Sequence, residues 1–514
     1  MLPALSRRLL VSTTLLAVGA ATVVVAVAVA APDSSVPPPT PAVAVAVAAP
    51  ADSGPPPTAD SAPPPTAGSV PPPTPAASCD AGSLPETTQG RAPLADVASG
   101  RYAKGYRCNA VQVAKTGTTG GYRVERYVDK AGNECAYADT TLLFPQNAPD
   151  QGTTGTGTYV YDMKDPAKPV LTATLKTPAM ASPHESLRLN AKRGLLVAVF
   201  ASPTAEPGIV DVYDVNADCR TPQLVSSTPL GVLGHEGGFA PDGLTYYVGS
   251  LFLNTVTAID LADPALPKLA WVSTDYVSHG LAVSDDGNTL FMGEAGLGDG
   301  FSGMTVLDVR QVQQRVPNPT VPVISRLTWP SVSTPQSAVP FTSKGKKYVM
   351  EIDEFGSGAA IGAGRIIDIN DIKQPFVVSE LRLAVNQPAA QGADLDADPG
   401  NSNAFQGYQG HYCSLPSRVD PQILACSFIM SGLRVFDISN VAKPKEIAYF
   451  NQPVVPGSVT TAPNRAGSFA MSAPAYDGAT GDIWYTDGNS GFYVVRLTGS
   501  AKGTFAKTVV NPGS

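Results

Sequence analysis

Apolar positions along this chain gather into short runs that end on an aspartate and then begin again. Six segments show the pattern: TYVYDMKDPAKPVLTATL, VDVYDVNADCRTPQLVSSTPL, VTAIDLADPALPKLAWVST, MTVLDVRQVQQRVPNPTVPVISRLTW, RIIDINDIKQPFVVSELRL and LRVFDISNVAKPKEIAYF. Each reads as an apolar strand closing at an Asp, a polar turn that usually carries Pro, and a second β-rich run. The aspartates are Asp162, Asp214, Asp260, Asp308, Asp368 and Asp437, and a seventh strand, GFYVVRL, has Arg496 in that place. Their intervals of 52, 46, 48, 60, 69 and 59 residues match a four-stranded propeller blade with loop insertions.

The stretches before these hooks supply the other two strands. HEGGFAPDGLTYYVGS and HGLAVSDDGNTLFMGE each read as strand, tight turn and strand. One four-stranded sheet cannot bury both faces alone, whereas a closed ring of such sheets can. The pattern predicts an all-β, seven-bladed propeller from about Cys108 to Val510. The last blade lacks a fourth strand of its own, and RCNAVQVAKT from the N-terminal side fits that role. YRVERYVDKAGNECAYAD then forms the first hairpin of the first blade.

The repeated apolar-Val-x-Asp-x-x-x-Pro unit, clearest in LRVFDISNVAKPKEIAYF, resembles the LVIVD-repeat family of exported bacterial propeller proteins. The resemblance covers roughly Cys79 to the C-terminus and implies a secreted or cell-surface propeller, with no defined activity. Arg496 and the long insertions of the fourth to sixth units depart from the family pattern.

The N-terminus reads differently. Arg7 and Arg8 precede an apolar stretch from Leu9 to about Ala30, the pattern of a secretory signal, and SRRLLVS also resembles a twin-arginine signal. The stretch is long enough to serve instead as an uncleaved anchor, the one route to a membrane that the sequence offers. Residues 31–78 repeat PPPT units with Ala, Ser and Val, a composition that favours extended polyproline II and forms a stalk. The expected organisation is therefore 1–30 signal or anchor, 31–78 stalk, and 79–514 propeller with its lead-in.

Charge and cysteine usage narrow the partners. A net charge of −8 without a Lys/Arg run excludes the electrostatic footprint of nucleic-acid binding. All six cysteines lie beyond the signal and the stalk, and in an exported chain an even count favours disulfides. Cys413 and Cys426 flank SLPSRVDPQILA, which reads as a hairpin, and form the first expected pair. Cys108 with Cys135, and Cys79 with Cys219, follow by proximity and remainder.

The chain has only four histidines: His184, His235, His279 and His411. Each falls after a hook and before the next hairpin, at the start of a first strand. Counted from the ring closure they belong to blades two, three, four and six. In a propeller those strands line the channel, so four imidazoles from different blades can meet at one mouth. Imidazole suits a divalent transition metal such as zinc, copper, iron or nickel, with Glu185 and Glu236 as outer-shell partners. Two other readings stand beside this one: each imidazole bonds a neighbouring strand-entry carbonyl, or the ring binds an organic or anionic ligand directly.

Other chemistry is sparse. Asp394, Asp396 and Asp398 alternate in GADLDADPGNSN as in a calcium loop, but Pro399 and Phe405 stand where such a loop needs Gly and Glu, which favours a solvated acidic loop. GEAGLGDGFSG and EIDEFGSGAAIGAG leave second strands as long loops at the histidine end, suited to a lid or a partner surface. No nucleophile elbow, phosphate loop or HExxH motif is present. Two classes of function remain: an exported binding or scaffold protein with a protein or small-molecule ligand at the channel mouth, and a metal-dependent enzyme such as an oxidoreductase.

Overall fold

The computed structural model describes residues 70–140, 157–200, 208–232, 234–251, 254–296, 300–355, 361–391, 407–453 and 468–510. The expected signal or anchor, most of the stalk, and Asp394, Asp396 and Asp398 lie outside the described residues. The architecture is built from seven antiparallel sheets.

The hooks explain the repeat locally. In each of the six units the Asp that closes the third strand accepts a hydrogen bond at Oδ1 from the backbone N–H two residues on: Lys164, Asn216, Ala262, Arg310, Asn370 and Ser439, at 2.7–3.1 Å. This Asx turn reverses the chain, and Asp165, Asp263, Asp371 and Asn440 repeat it three residues later in four units. The fourth strand then returns antiparallel. Arg496 cannot cap in this way; it pairs with Asp482 at 2.6 and 2.8 Å, and the chain runs on into the helix Gly499–Phe505.

Blade one comprises Val124–Val128, Glu134–Asp139, Thr158–Asp162 and Val170–Leu175. Blades two to five follow with inner strands Arg188–Asn190, Glu236–Phe239, Ser278–Val283 and Pro335–Ser343. Blade six begins at Gly410–Ser414 and blade seven at Ala475–Asp477. Second strands such as Leu195–Val199 and Thr245–Ser250 are buried along their whole length, because neighbouring blades cover both faces. Between blades two and three, Val197, Val199 and Val212 pack with Tyr246, Val248 and Ile259. Each such side chain contributes about 1.5–3 kcal/mol of burial energy.

The ring closes at the N-terminal run, as the sequence predicts, with one addition. Ala110–Thr116 is the fourth strand of blade seven, while Tyr106–Cys108 adds a fifth strand to blade six. Asn109, at φ 51°, makes the step between the two sheets. Its amide accepts from Asp80 N at 2.8 Å and donates to the carbonyls of Ser78 and Ile447. The end of the Pro-rich segment also lies on the propeller: Thr74 is buried, its N–H donates to Arg382 O, and Pro75 O accepts from Glu446 N.

Three disulfides tie this framework, a pattern suited to an oxidising compartment. Cys413–Cys426 joins directly opposed residues of the first hairpin of blade six, as expected. The other two expected pairs are corrected to Cys79–Cys108 and Cys135–Cys219. Proximity in sequence misleads here, because Cys108 belongs to the strand added to blade six while Cys135 sits in blade one. A buried ion cluster reinforces the lead-in: Arg434 pairs with Glu86 at 2.7 Å and Glu446 at 3.1 Å, over the Tyr449 ring. Among the described residues no helix is long and apolar enough to cross a membrane.

Two outcomes follow from the closure. Peptide mapping without reduction yields Cys79–Cys108, Cys135–Cys219 and Cys413–Cys426, and recovery of a Cys108–Cys135 peptide contradicts this arrangement. Arg434→Ala leaves Glu86 and Glu446 without their cation and lowers the stability read by denaturant unfolding by about 3–5 kcal/mol.

Candidate metal centre in the channel

The first strands line the channel, and three of them carry the same irregularity at their start. Register shifts fall between Ser278 and Gly280, between Pro335 and Ser337, and between Gly410 and Tyr412. The residues in these bulges are His279, Gln336 and His411. A β-bulge re-aims the side chain of its extra residue, and here it turns all three toward one centre. Next to His279 no side chain fits: a Cβ on Gly280 would collide with the Glu236 carboxylate and the Gln336 carbonyl. His184 reaches the centre from a left-handed backbone, φ 50°, a conformation that costs about 1–3 kcal/mol in a non-glycine residue.

The four histidines converge on the carboxylate of Glu185. Their Nε2 atoms lie 3.2 Å (His235), 3.4 Å (His411), 3.8 Å (His184) and 3.9 Å (His279) from its oxygens. Glu354 stands beside it, 3.2 Å from His411 Nε2 and 3.3 Å from His279 Nε2. Gln336 donates to Glu185 at 2.6 Å and lies 3.3 Å from His411 Nε2. On the far side of two rings the backbone fixes the tautomer. His279 Nδ1 donates to Pro335 O at 3.0 Å and His411 Nδ1 to Met471 O at 2.5 Å. A carbonyl only accepts, so Nδ1 carries the hydrogen and neutral Nε2 presents a lone pair to the centre.

Burial governs the charges. His279 is 1% exposed and His411 is fully buried, as is Gln336. Burial pushes His279 down to about 3, and burial with repulsion from His235 holds His184 well below its usual range. Burial also opposes ionisation of Glu185, but its contact with His235, the nearest imidazole, outweighs it and keeps this carboxyl well below the ordinary range. Glu354 is raised by burial despite His411. His411 is raised as well, because Glu354 and Glu185 outweigh its own burial. Both groups therefore hold a proton to higher pH than they would in water.

The two expected outer-shell residues take different places. Glu185 stands inside the ring of imidazoles rather than behind it. Glu236 turns away: its carboxylate pairs with Arg123 and, at 2.5 Å, with Arg188. Arg123 also donates to Glu185 O at 3.0 Å and stacks on Tyr412 at 4.2 Å, so this guanidinium underpins the site. Sequence reading missed Gln336, Glu354 and Tyr122. Tyr122 packs its ring 4.2 Å from His184 and 5.4 Å from His411, and its buried hydroxyl has no hydrogen-bond partner among the described residues. A signal for Gln336 existed, since PQSAV occupies the place of SHGLA and GHYCS at a first-strand start. Glu354 lies in the flagged loop EIDEFGSGAAIGAG but had no partner in sequence.

His184, Glu185 and His235 offer ligand atoms within 4.8 Å of one another, a group that can hold a metal ion. The donor set of imidazole and carboxylate suits first-row transition ions, for which direct ligation needs contacts of about 2.0–2.2 Å. Such contacts require the side chains to draw inward from their present spacing.

No protein-family model matches the chain, and no curated protein matches it. Among solved structures it is similar to hydrazine synthase of Kuenenia stuttgartiensis, 14% identical, with a TM-score of 0.46 over 74% of this chain and 97% of that one. The periplasmic gluconolactonase PpgL of Pseudomonas aeruginosa is 15% identical, with a TM-score of 0.42 over 68% and 94%. A putative 6-phosphogluconolactonase of Bacteroides fragilis is 14% identical, with a TM-score of 0.42 over 66% and 90%. At such distances a likeness leaves the chemistry of a site open.

Proposed function

We propose that this chain is an exported or cell-surface propeller of LVIVD type that binds a divalent transition metal in its channel and serves as a binding module through that site. Zinc, copper, iron and nickel are the candidate ions, with His184, His235, His279 and His411 as ligands and Glu185 or Glu354 completing the set. The observation that carries this reading is the convergence of four Nε2 atoms on one buried carboxylate. Imidazoles that served only to stabilise strand entries would use one nitrogen on a carbonyl, as His279 and His411 do. They would have no reason to aim the other at a common point. Two carboxylates and neutral imidazoles balance the charge of a divalent ion in a buried site. The apolar N-terminal stretch, the three disulfides and the hook repeats support export.

A second reading, a metal-dependent enzyme with oxidoreductase chemistry first, is favoured by Tyr122. Its ring lies beside two of the proposed ligands, and its buried hydroxyl, without a hydrogen-bond partner among the described residues, would be free to donate a proton to a bound substrate. Under this reading Tyr122→Phe keeps the metal and loses turnover.

Elemental analysis of protein purified from its native compartment finds about one transition ion per chain, and His279→Ala or His411→Ala lowers affinity by about tenfold or more. Absence of stoichiometric metal, or unchanged metal content in both variants, overturns the proposal. Acid weakens binding, because the ion must displace the proton held by His411. Affinity rises by up to about tenfold per pH unit below the raised His411 value and levels off above it. Calorimetry in buffers of different ionisation enthalpy reads the released proton, and pH-independent affinity between mildly acidic and neutral conditions contradicts this account.

A further inference from the structure

The channel has a second end. Where the first hairpins turn, away from the imidazoles, it widens into a cavity of about 390 Å³, a size that small organic ligands occupy. Its lining carries four cations, Arg123, Arg188, Lys192 and Arg418, against two carboxylates, Glu125 and Asp285. Burial pushes Glu125 up to about 7 although Arg188 and Arg123 attract its charge, so near neutral pH the balance is more positive still. The walls between these charges are apolar, with Phe239, Leu281 and Leu415 contributing.

Two of the cations, Arg188 and Arg418, line the cavity from different blades. Arg188 is held by Glu236 at 2.5 Å and by Gly237 O at 2.6 Å. Arg418 donates to Val283 O at 2.7 Å and meets Asp285 at 3.3 Å. Its guanidinium is destabilised by burial, an effect that Asp285 opposes and the like charge of Arg188 adds to in smaller measure. Both side chains remain partly open, at 21% and 24% exposure. Like charges facing one cavity are relieved by an anion between them, and guanidinium groups match a carboxylate in shape and charge.

We propose that this cavity is a binding site for a small monocarboxylate with an apolar body, its carboxylate between Arg188 and Arg418 and its body against Phe239, Leu281 and Leu415. The site is independent of the metal centre, from which it is separated by the Arg123–Glu236–Arg188 cluster. A single negative charge suits it better than a phosphate, because Asp285 already answers part of the positive charge and the walls offer apolar contact.

Calorimetric titration of the full chain, stripped of metal with a chelator, tests this with benzoate, benzamide, benzylammonium and inorganic phosphate as probes. Benzoate binds about tenfold or more tighter than each of the other three. Arg418→Gln reduces benzoate affinity by about tenfold and leaves benzamide unchanged, and Lys192→Gln, at an exposed position, reduces it by about threefold. His279→Ala leaves benzoate affinity unchanged, which separates this cavity from the imidazole layer. Equal binding of benzoate and benzamide, or of benzoate in both the wild-type protein and a folded Arg418→Gln variant, overturns the proposal. So does tighter binding of phosphate than of benzoate, or loss of benzoate binding in His279→Ala. Should Arg418→Gln fail to fold, unchanged benzoate affinity in Lys192→Gln decides against it.

Discussion

Closure of the ring is the constraint on which the rest of the structure depends. Each blade exposes two apolar faces that only its neighbours can cover, so a gap anywhere leaves core surface in water. The gap is sealed by one continuous run, Tyr106–Thr116, which pairs with blade six through Cys108 and with blade seven from Ala110 onward. Asn109 makes the crossing, its amide bonded to Asp80, Ser78 and Ile447. The Cys79–Cys108 disulfide and the Arg434–Glu86 pair then fasten the lead-in to blade six. The disulfide is local to the lead-in, whereas the Arg434–Glu86 pair joins residues 348 apart in sequence and so ties the lead-in to the far end of the ring.

Closure also builds the channel, which is layered along its length. At the start of the first strands lies the imidazole and carboxylate layer; next come Arg123, Arg188 and Glu236; beyond them the cavity opens toward the hairpin turns. Burying charges in this way costs several kcal/mol per ion even when they are paired. An apolar plug would have filled the same space at lower cost. The ring nevertheless gathers many ionisable groups at its buried centre, together with a His184 in a left-handed backbone and three aligned bulges. Arg123 links the layers, since it bonds the Glu185 carbonyl on one side and the Glu236 carboxylate on the other.

The repeat was legible in the sequence because its cause is local. An aspartate that bonds an amide two residues away needs nothing from the rest of the molecule, so the hooks at Asp162 to Asp437 announce themselves wherever the ring stands. The blade count, the closing strand and the Cys413–Cys426 pair followed from the same local logic. The histidines were legible as candidates for a related reason: they occur at equivalent points of a repeat and nowhere else in the chain.

The tertiary structure alone decided which side chains meet. Cys108 and Cys135 are near in sequence yet belong to different blades: Cys108 pairs with Cys79, at a similar separation on its other side, and Cys135 with Cys219, 84 residues on. Glu185 and Glu236 look alike beside their histidines, but one points into the imidazoles and the other into Arg123 and Arg188. Gln336, Glu354 and Tyr122 join the centre from blades without histidines; only the strand-start position of Gln336 in PQSAV marks any of them as a counterpart of the histidines. The sequence by itself determined the strands, the turns and the ring, since these rest on alternation and on hydrogen bonds spanning a few residues. The contents of the channel were decided only when the ring closed, because a one-residue bulge or a single left-handed backbone sets the direction of each side chain, and six blades must be in place before those directions cross.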